Sequence, residues 1–268
     1  METLKSKVFT ATLALLTLYC VTTYSQVLIG PVAGPQISWT EFNDKDLRST
    51  FSTSPVVRYH AGVSVSLRAY KRFFLTTSLL YSKKGKVIES NVDSKLENKV
   101  VYTHIDMPIV YTAQFKGTLK GNKGFKYYIG GGPNISYWLS GKGTIASSDI
   151  AEGGKTNIPY KVVFRKSFDD ITENEMNIAD PNRIQIGINV VAGIVLQPLG
   201  FNEVNIMLRY ERGHSFLGDS NGIFPAATDY ADVLASRNSG IRLSIAYMID
   251  LKTDQRKKGK STINKRKL

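Results

Sequence analysis

The chain has 268 residues, 42% of them hydrophobic, and a formal net charge of +13, enough apolar content to bury a sizeable core. Residues 252–268 carry eight basic residues against Asp254 alone, so the excess charge belongs mostly to one tail and is a poor nucleic-acid signature. A single cysteine, Cys20, excludes an internal disulfide framework and any cysteine-based zinc site.

Residues 1–25 open with Lys5 and Lys7, continue through an apolar run over 8–19 and end in small and polar residues. This order predicts a secretory signal peptide cleaved after Ser25, its apolar run being too short for a transmembrane helix. Cleavage would also remove Cys20. From 26 onward no stretch has the apolar length of a membrane helix, so any membrane role needs strands.

Residues 27–39 open "VLIGPVAGPQISW", and the pattern returns at 129–138 as "IGGGPNISYW". Glycine at 30, 34, 130 and 132 is expected to face inward and make room for neighbouring groups, while Pro35 and Pro133, lacking a ladder donor, suggest bulges. Over 57–69, Val57, Tyr59, Ala61, Val63, Val65 and Leu67 alternate with Arg58, His60, Gly62, Ser64, Ser66 and Arg68. Alternation of period two marks strands. It recurs over 73–83, 104–115, 125–139, 184–197, 204–212 and 241–251, giving eight strands in all.

One face of these segments is a band of Ile, Val, Leu and Ala; the other carries Gly, Ser, Asn and Gln with a few charges. A soluble barrel would turn Lys, Glu and Thr to water. Small polar residues instead suit the narrow interior of eight strands, and the aliphatic band suits lipid. The expected fold is all-β: an eight-stranded antiparallel up-and-down transmembrane β-barrel over 26–251. Connections at 70–72, 116–124 and 198–202 are short, while those at 40–55, 84–99, 141–182 and 214–237 are long. That asymmetry places both termini and the short turns in the periplasm of a Gram-negative cell. Two aromatic girdles follow: Tyr70, Phe73, Phe115, Phe125, Tyr127, Phe201 and Tyr247 below, with Trp39, Tyr59, Tyr102, Tyr137, Trp138 and Tyr210 above.

The segments "HAGVSVSLRAYKRFFLTTSLLYSKKGK", "HIDMPIVYTAQF", "YYIGGGPNISYWLSGK", "INVVAGIVLQPL", "IMLRYERGHSFLGD" and "SGIRLSIAYMIDL", in this order, resemble the PorT-type outer-membrane β-barrel proteins of Bacteroidetes. The resemblance covers most of 27–251 and implies an outer-membrane barrel; some members of that family serve a secretion system. The Lys-rich tail departs from the pattern.

Inward ionisable groups are expected at Arg58, His60, Arg68, His104, Asp106, Arg209, Glu211, Arg242 and Asp250. Both signs are present, so a self-neutralising lumen network is expected rather than an ion path. His214 and Ser215 with Glu211 form the one local grouping that suggests a rim hydrolase. Adjacent strand residues point to opposite faces, so no catalytic residues are assigned. The histidines are too scattered for a metal site, and no cofactor motif is present. The loop at 141–182 mixes both charges and is expected to serve surface recognition, with "IPYKVVFRKSF" prolonging a strand as a hairpin. In the tail, Arg256, Lys257, Lys258, Lys260, Lys265, Arg266 and Lys267 would meet anionic headgroups, peptidoglycan carboxylates or an acidic partner in the periplasm. Expected partners are therefore outer-membrane lipid and other envelope or secretion proteins, and not nucleic acid. A structural or interaction role is expected, not an enzymatic one, the rival readings being the rim hydrolase and a small-solute channel.

Overall fold

The computed structural model describes residues 26–118, 124–167, 170–197 and 202–251. The expected signal peptide, the basic tail and the turn residue Phe201 lie outside them. Thirteen strands form one sheet. Eight of them close a ring: β1 (Val27–Phe42), β3 (Val56–Tyr70), β4 (Phe73–Ser90), β5 (Glu97–Thr118), β6 (Gly124–Ala146), β9 (Ile184–Leu196), β10 (Glu203–Gly213) and β13 (Ser236–Asp250). Each pairs antiparallel with its neighbours, and the β1–β13 and β6–β9 ladders complete the circle. Among the described residues every ring strand has a partner on both sides, so the ring is closed as a hydrocarbon environment demands of strands.

The two faces are sorted inversely to a water-soluble protein. Ile184, Ile186, Ile188 and Val190 on β9 and Leu243 and Ile245 on β13 are exposed, while Gln185, Asn189, Arg242 and Ser244 between them are buried. Exposed aliphatic residues this numerous and contiguous mark an apolar partner, and in a closed barrel that partner is lipid. Tyr59, Tyr81, Tyr137 and Tyr210 ring one end of the band; Tyr70, Tyr127 and Tyr247 ring the other. Tyr102 and Trp138 do not join the upper ring as expected. Both lie on the inward register and are fully buried.

The glycine–proline repeat has a geometric cause. In the run between the Ile29–Ile249 and Gln36–Arg242 pairs, a Cβ built on Gly30 or Gly34 would overlap the backbone carbonyl of Tyr247 or Leu243. The same holds for Gly132 against Ile109. These carbonyls lie opposite Pro31, Pro35 and Pro133, which have no N–H to offer. Glycine leaves the space that each carbonyl occupies; Gly62 against Leu79 and Gly130 against Tyr111 show the same close approach without a following proline.

The long connections at the ring's other end are mostly not loops. Residues 84–99 continue β4 and β5 above the aromatic ring, leaving a turn at 91–96. In the 141–182 segment, α2 (Ser148–Glu152) begins at the N-cap Ser147. It is followed by β7 (Ile158–Phe164), which pairs with the top of β6, and by β8 (Glu175–Ile178), parallel to β7. β11 (Gly222–Phe224) and β12 (Ala227–Asp232) extend this sheet, and α1 (Lys45–Thr50) leads into β2 (Phe51–Ser54), which pairs with the top of β4. Together they make a cap with its own core, including Tyr102, Trp138, Ile145, Tyr160, Met176, Ile178, Leu217, Phe224 and Leu234.

Candidate functional site

The interior is filled from two levels. At mid-height, β4, β5, β10 and β13 each send one charged side chain inward, because Lys84, Asp106, Glu211 and Arg242 all occupy the buried parity of their strands. Arg242 Nη2 lies 2.5 Å from Asp106 Oδ2 and 2.5 Å from Glu211 Oε2. Lys84 Nζ lies 3.2 Å from Asp106 and 2.7 Å from Glu211. Two cations thus bridge two carboxylates in a closed square. Asn134 Nδ2 adds a bond to Glu211 at 3.1 Å, and Lys84 donates to Ser136 Oγ at 3.3 Å. Burying four charges is tolerable only with such mutual pairing. Beneath them Arg209 is also buried, with Nη2 3.8 Å from Met207 Sδ, and His60 Nε2 meets Ser244 Oγ at 2.8 Å.

Above the square, His104 stacks on Trp138 at 6.2 Å between ring centroids, and Tyr102 meets Trp138 edge-on at 4.7 Å. This aromatic lid passes into the cap core, where a second buried pair sits: Lys86 Nζ to Asp232 Oδ1, 2.8 Å, both side chains fully buried. Tyr102 and Tyr230 donate to the Asp232 carboxylate at 3.3 and 3.2 Å. Asn98 Nδ2 in turn reaches the Tyr230 hydroxyl, and Tyr160 donates to Asn98 Oδ1 at 2.6 Å. Burial, reinforced by the Asp232 charge, holds the Tyr160 and Tyr230 hydroxyls well above the usual phenol range. They therefore remain donors at any physiological pH.

Two small cavities adjoin the square. A cavity of about 30 Å³ lies below the square among Leu28, Val32, Ser64, Tyr128, Asn205 and Arg209. Another of about 10 Å³ adjoins Gln36, Lys84 and Arg242. These two volumes admit single waters.

Of the nine lumen residues expected from the sequence, Asp106, Glu211 and Arg242 meet directly, with His60, His104 and Arg209 beside them. Asp250 is buried at the far end of β13. Arg58 and Arg68 correct the expectation: both are exposed. Arg58 lies where β3 leaves β4, so its side chain escapes outward and donates to the Val57 carbonyl. Arg68 lies at the β3–β4 turn and donates to the Lys71 carbonyl. Lys84 and Lys86 were missed; extending the 73–83 alternation by three residues places both on the inward face. The His214–Ser215–Glu211 grouping is not assembled, since Glu211 faces the lumen on Lys84 and Arg242 while Ser215 Oγ accepts the Ile186 N–H at 3.0 Å. Among the described residues no cluster of His, Cys, Asp and Glu could hold a metal ion. The seven tail residues from Arg256 to Lys267 lie outside the described residues.

The family model described as "Outer membrane protein beta-barrel domain" matches residues 23–213. No curated protein matches the sequence. Solved structures similar to it include OprG of Pseudomonas aeruginosa, at 10% identity over 85% of this chain and 94% of that one, TM-score 0.42. Ail, the attachment invasion locus protein of Yersinia pestis, is 11% identical over 83% and 98%, TM-score 0.35. The outer membrane protease OmpT of Escherichia coli is 6% identical over 85% and 98%, TM-score 0.37.

Proposed function

The chain belongs to the outer membrane protein β-barrel domain family, and from that premise we propose a closed, non-conducting barrel that anchors a folded surface cap for interaction with other envelope components. The observation that carries this reading is the crossing of the interior at mid-height by a square of four buried charges under an aromatic lid, with a cavity of only about 30 Å³ below it. A barrel sealed along its axis offers no passage, and its elaboration is concentrated in the cap.

In this reading the role is one of binding rather than catalysis. The termini and short turns lie in the periplasm and the cap faces outward, as the loop asymmetry of such barrels supports. A signal peptide over 1–25 directs export, and the basic tail adds periplasmic attraction for anionic groups. The sequence resemblance to PorT-type proteins of Bacteroidetes supports an accessory place beside a secretion system.

The orientation is read directly with a membrane-impermeant maleimide on single-cysteine variants carrying Cys20→Ala. Val92, 84% exposed at the tip of the β4–β5 hairpin, is replaced by cysteine in one, and Lys71 at the opposite end in another. Labelling of the Val92→Cys protein in intact cells, with Lys71→Cys labelled only after permeabilisation, is the expected result. The reverse pattern contradicts it. A photo-crosslinker at Val92 in the same cells is expected to yield discrete protein adducts that a probe at Lys71 does not.

A further inference from the structure

The barrel wall is not uniformly zipped. β3 pairs with β4 only as far as His60–Ser82, and pairing resumes through β2 at Ser54–Val87. Between them the backbone of β4 is held from inside by β1: Gln36 Nε2 donates to the Lys83 carbonyl at 2.5 Å, and Ser38 Oγ accepts the Gly85 N–H at 2.8 Å. The outer surface over this gap is a depression of about 940 Å³.

Its lining is chemically one-sided. Arg58, Lys83, Lys86, Lys99 and Lys142 line it, and no carboxylate does. Lys86 is neutralised from inside by Asp232 at 2.8 Å. Glu97 neutralises Lys99 at 2.6 Å. Among the described residues Arg58, Lys83 and Lys142 have no carboxylate partner, and Lys83 lies over the Tyr59 ring at 5.3 Å. On the lower side Pro35, Val57 and Tyr59 continue the lipid-facing wall. Arg58 and Lys83 lie one and two residues above Tyr59 and Tyr81 of the aromatic ring, at the depth of lipid headgroups, and Lys142 lines the cap side of the depression.

We propose that this notch binds the phosphorylated headgroup of an anionic lipid, with Arg58, Lys83 and Lys142 on the phosphate and the acyl chains lying against Pro35, Val57 and Tyr59. Clustered cations at headgroup depth attract anionic lipid, and an arginine beside lysines supplies a directional fork as well as charge. Placing that lipid in the outer leaflet rests on the cap facing outward; the binding itself does not.

The test is native mass spectrometry of the detergent-solubilised full chain with diphosphorylated lipid A as probe and its dephosphorylated form as control. One retained molecule of the phosphorylated probe is expected. Retention should fall at least tenfold in Arg58→Gln/Lys83→Gln/Lys142→Gln and recover in Arg58→Lys/Lys83→Arg/Lys142→Arg. It should not change in Lys45→Gln/Lys95→Gln/Lys116→Gln, which removes the same charge elsewhere. Heat-modifiable gel mobility confirms that each variant is folded. Equal retention by the two Gln variants, or of the two probes, overturns the proposal. So does displacement of the lipid by excess inorganic phosphate, which would make the notch a soluble-anion site. Cap labelling from the wrong side of the cell would instead move the lipid to the other leaflet and leave this binding intact.

Discussion

At the scale of single residues, burial separates charges of similar appearance in sequence. Arg58 and Arg242 both lie on alternating strands, yet one is exposed and the other bridges two buried carboxylates. Arg242→Met should cost roughly 3–5 kcal/mol, since it leaves Asp106 and Glu211 undercompensated. Arg58→Met should stay within about 0.5 kcal/mol. Reversible urea unfolding in detergent micelles measures both. In the cap, Lys86→Met alone should fall in the same range of roughly 3–5 kcal/mol. Lys86→Met with Asp232→Asn should recover most of it, because the amide oxygen still accepts from one of the Tyr102 and Tyr230 hydroxyls, its N–H can donate to the other, and no charge is left unpaired. Outside the membrane, hydrogen bonds from the Lys95 backbone N–H and from Ser148 hold the Asp93 carboxyl below the usual carboxylate value. A depressed folded value means that its stabilisation is present above the ordinary carboxylate pKa. It is lost as pH falls through the lowered one. An NMR titration should find Asp93 ionised below the pH at which an unstructured aspartate protonates, and Ser148→Ala should bring the two closer.

At the scale of elements, the repeated Gly–Pro segments show what the sequence carried and what it did not. The recurrence was visible in residues alone, but its reason was not, because the occupant of each missing Cβ is a carbonyl on a strand more than a hundred residues away for Gly30 and Gly34. Gly34→Val should cost about 3 kcal/mol, the upper end of overpacking penalties, since backbone rather than a movable side chain blocks it. Ala33→Val, pointing to the exposed side, should be tolerated. Folding yields into detergent micelles compare the two. The eight ring strands were legible because alternation of lipid-facing and lumen-facing residues is imposed on every one of them. The cap strands were not. β8, β11 and β12 are short, and the burial patterns of β8 and β11 follow the cap core. Only β7 announced itself, as the alternating "IPYKVVF". Tyr102 and Trp138 were misplaced for a related reason: proximity to long connections suggested a girdle, whereas strand parity put both inside.

For the molecule as a whole, the inversion of polarity between the two faces is what joins sequence, fold and location. A narrow ring of eight strands must fill itself with its own side chains, and at mid-height four of them are charges paired in a square, the basis of the proposed closed axis. Planar-bilayer recording of the purified protein should show no unit conductance; stable steps from the wild type would mean that the square and lid open. The most direct test of the account is spin-label accessibility along β9 and β13 in lipid bilayers, one cysteine at a time in the Cys20→Ala background. Labels at Ile188, Val190, Leu243 and Ile245 should be accessible to oxygen dissolved in lipid and shielded from a water-soluble nickel chelate. Labels at Asn189 and Ser244 should be poorly reached by either. Nickel access at the four aliphatic positions would mean that water, not lipid, surrounds the barrel, and would contradict the account.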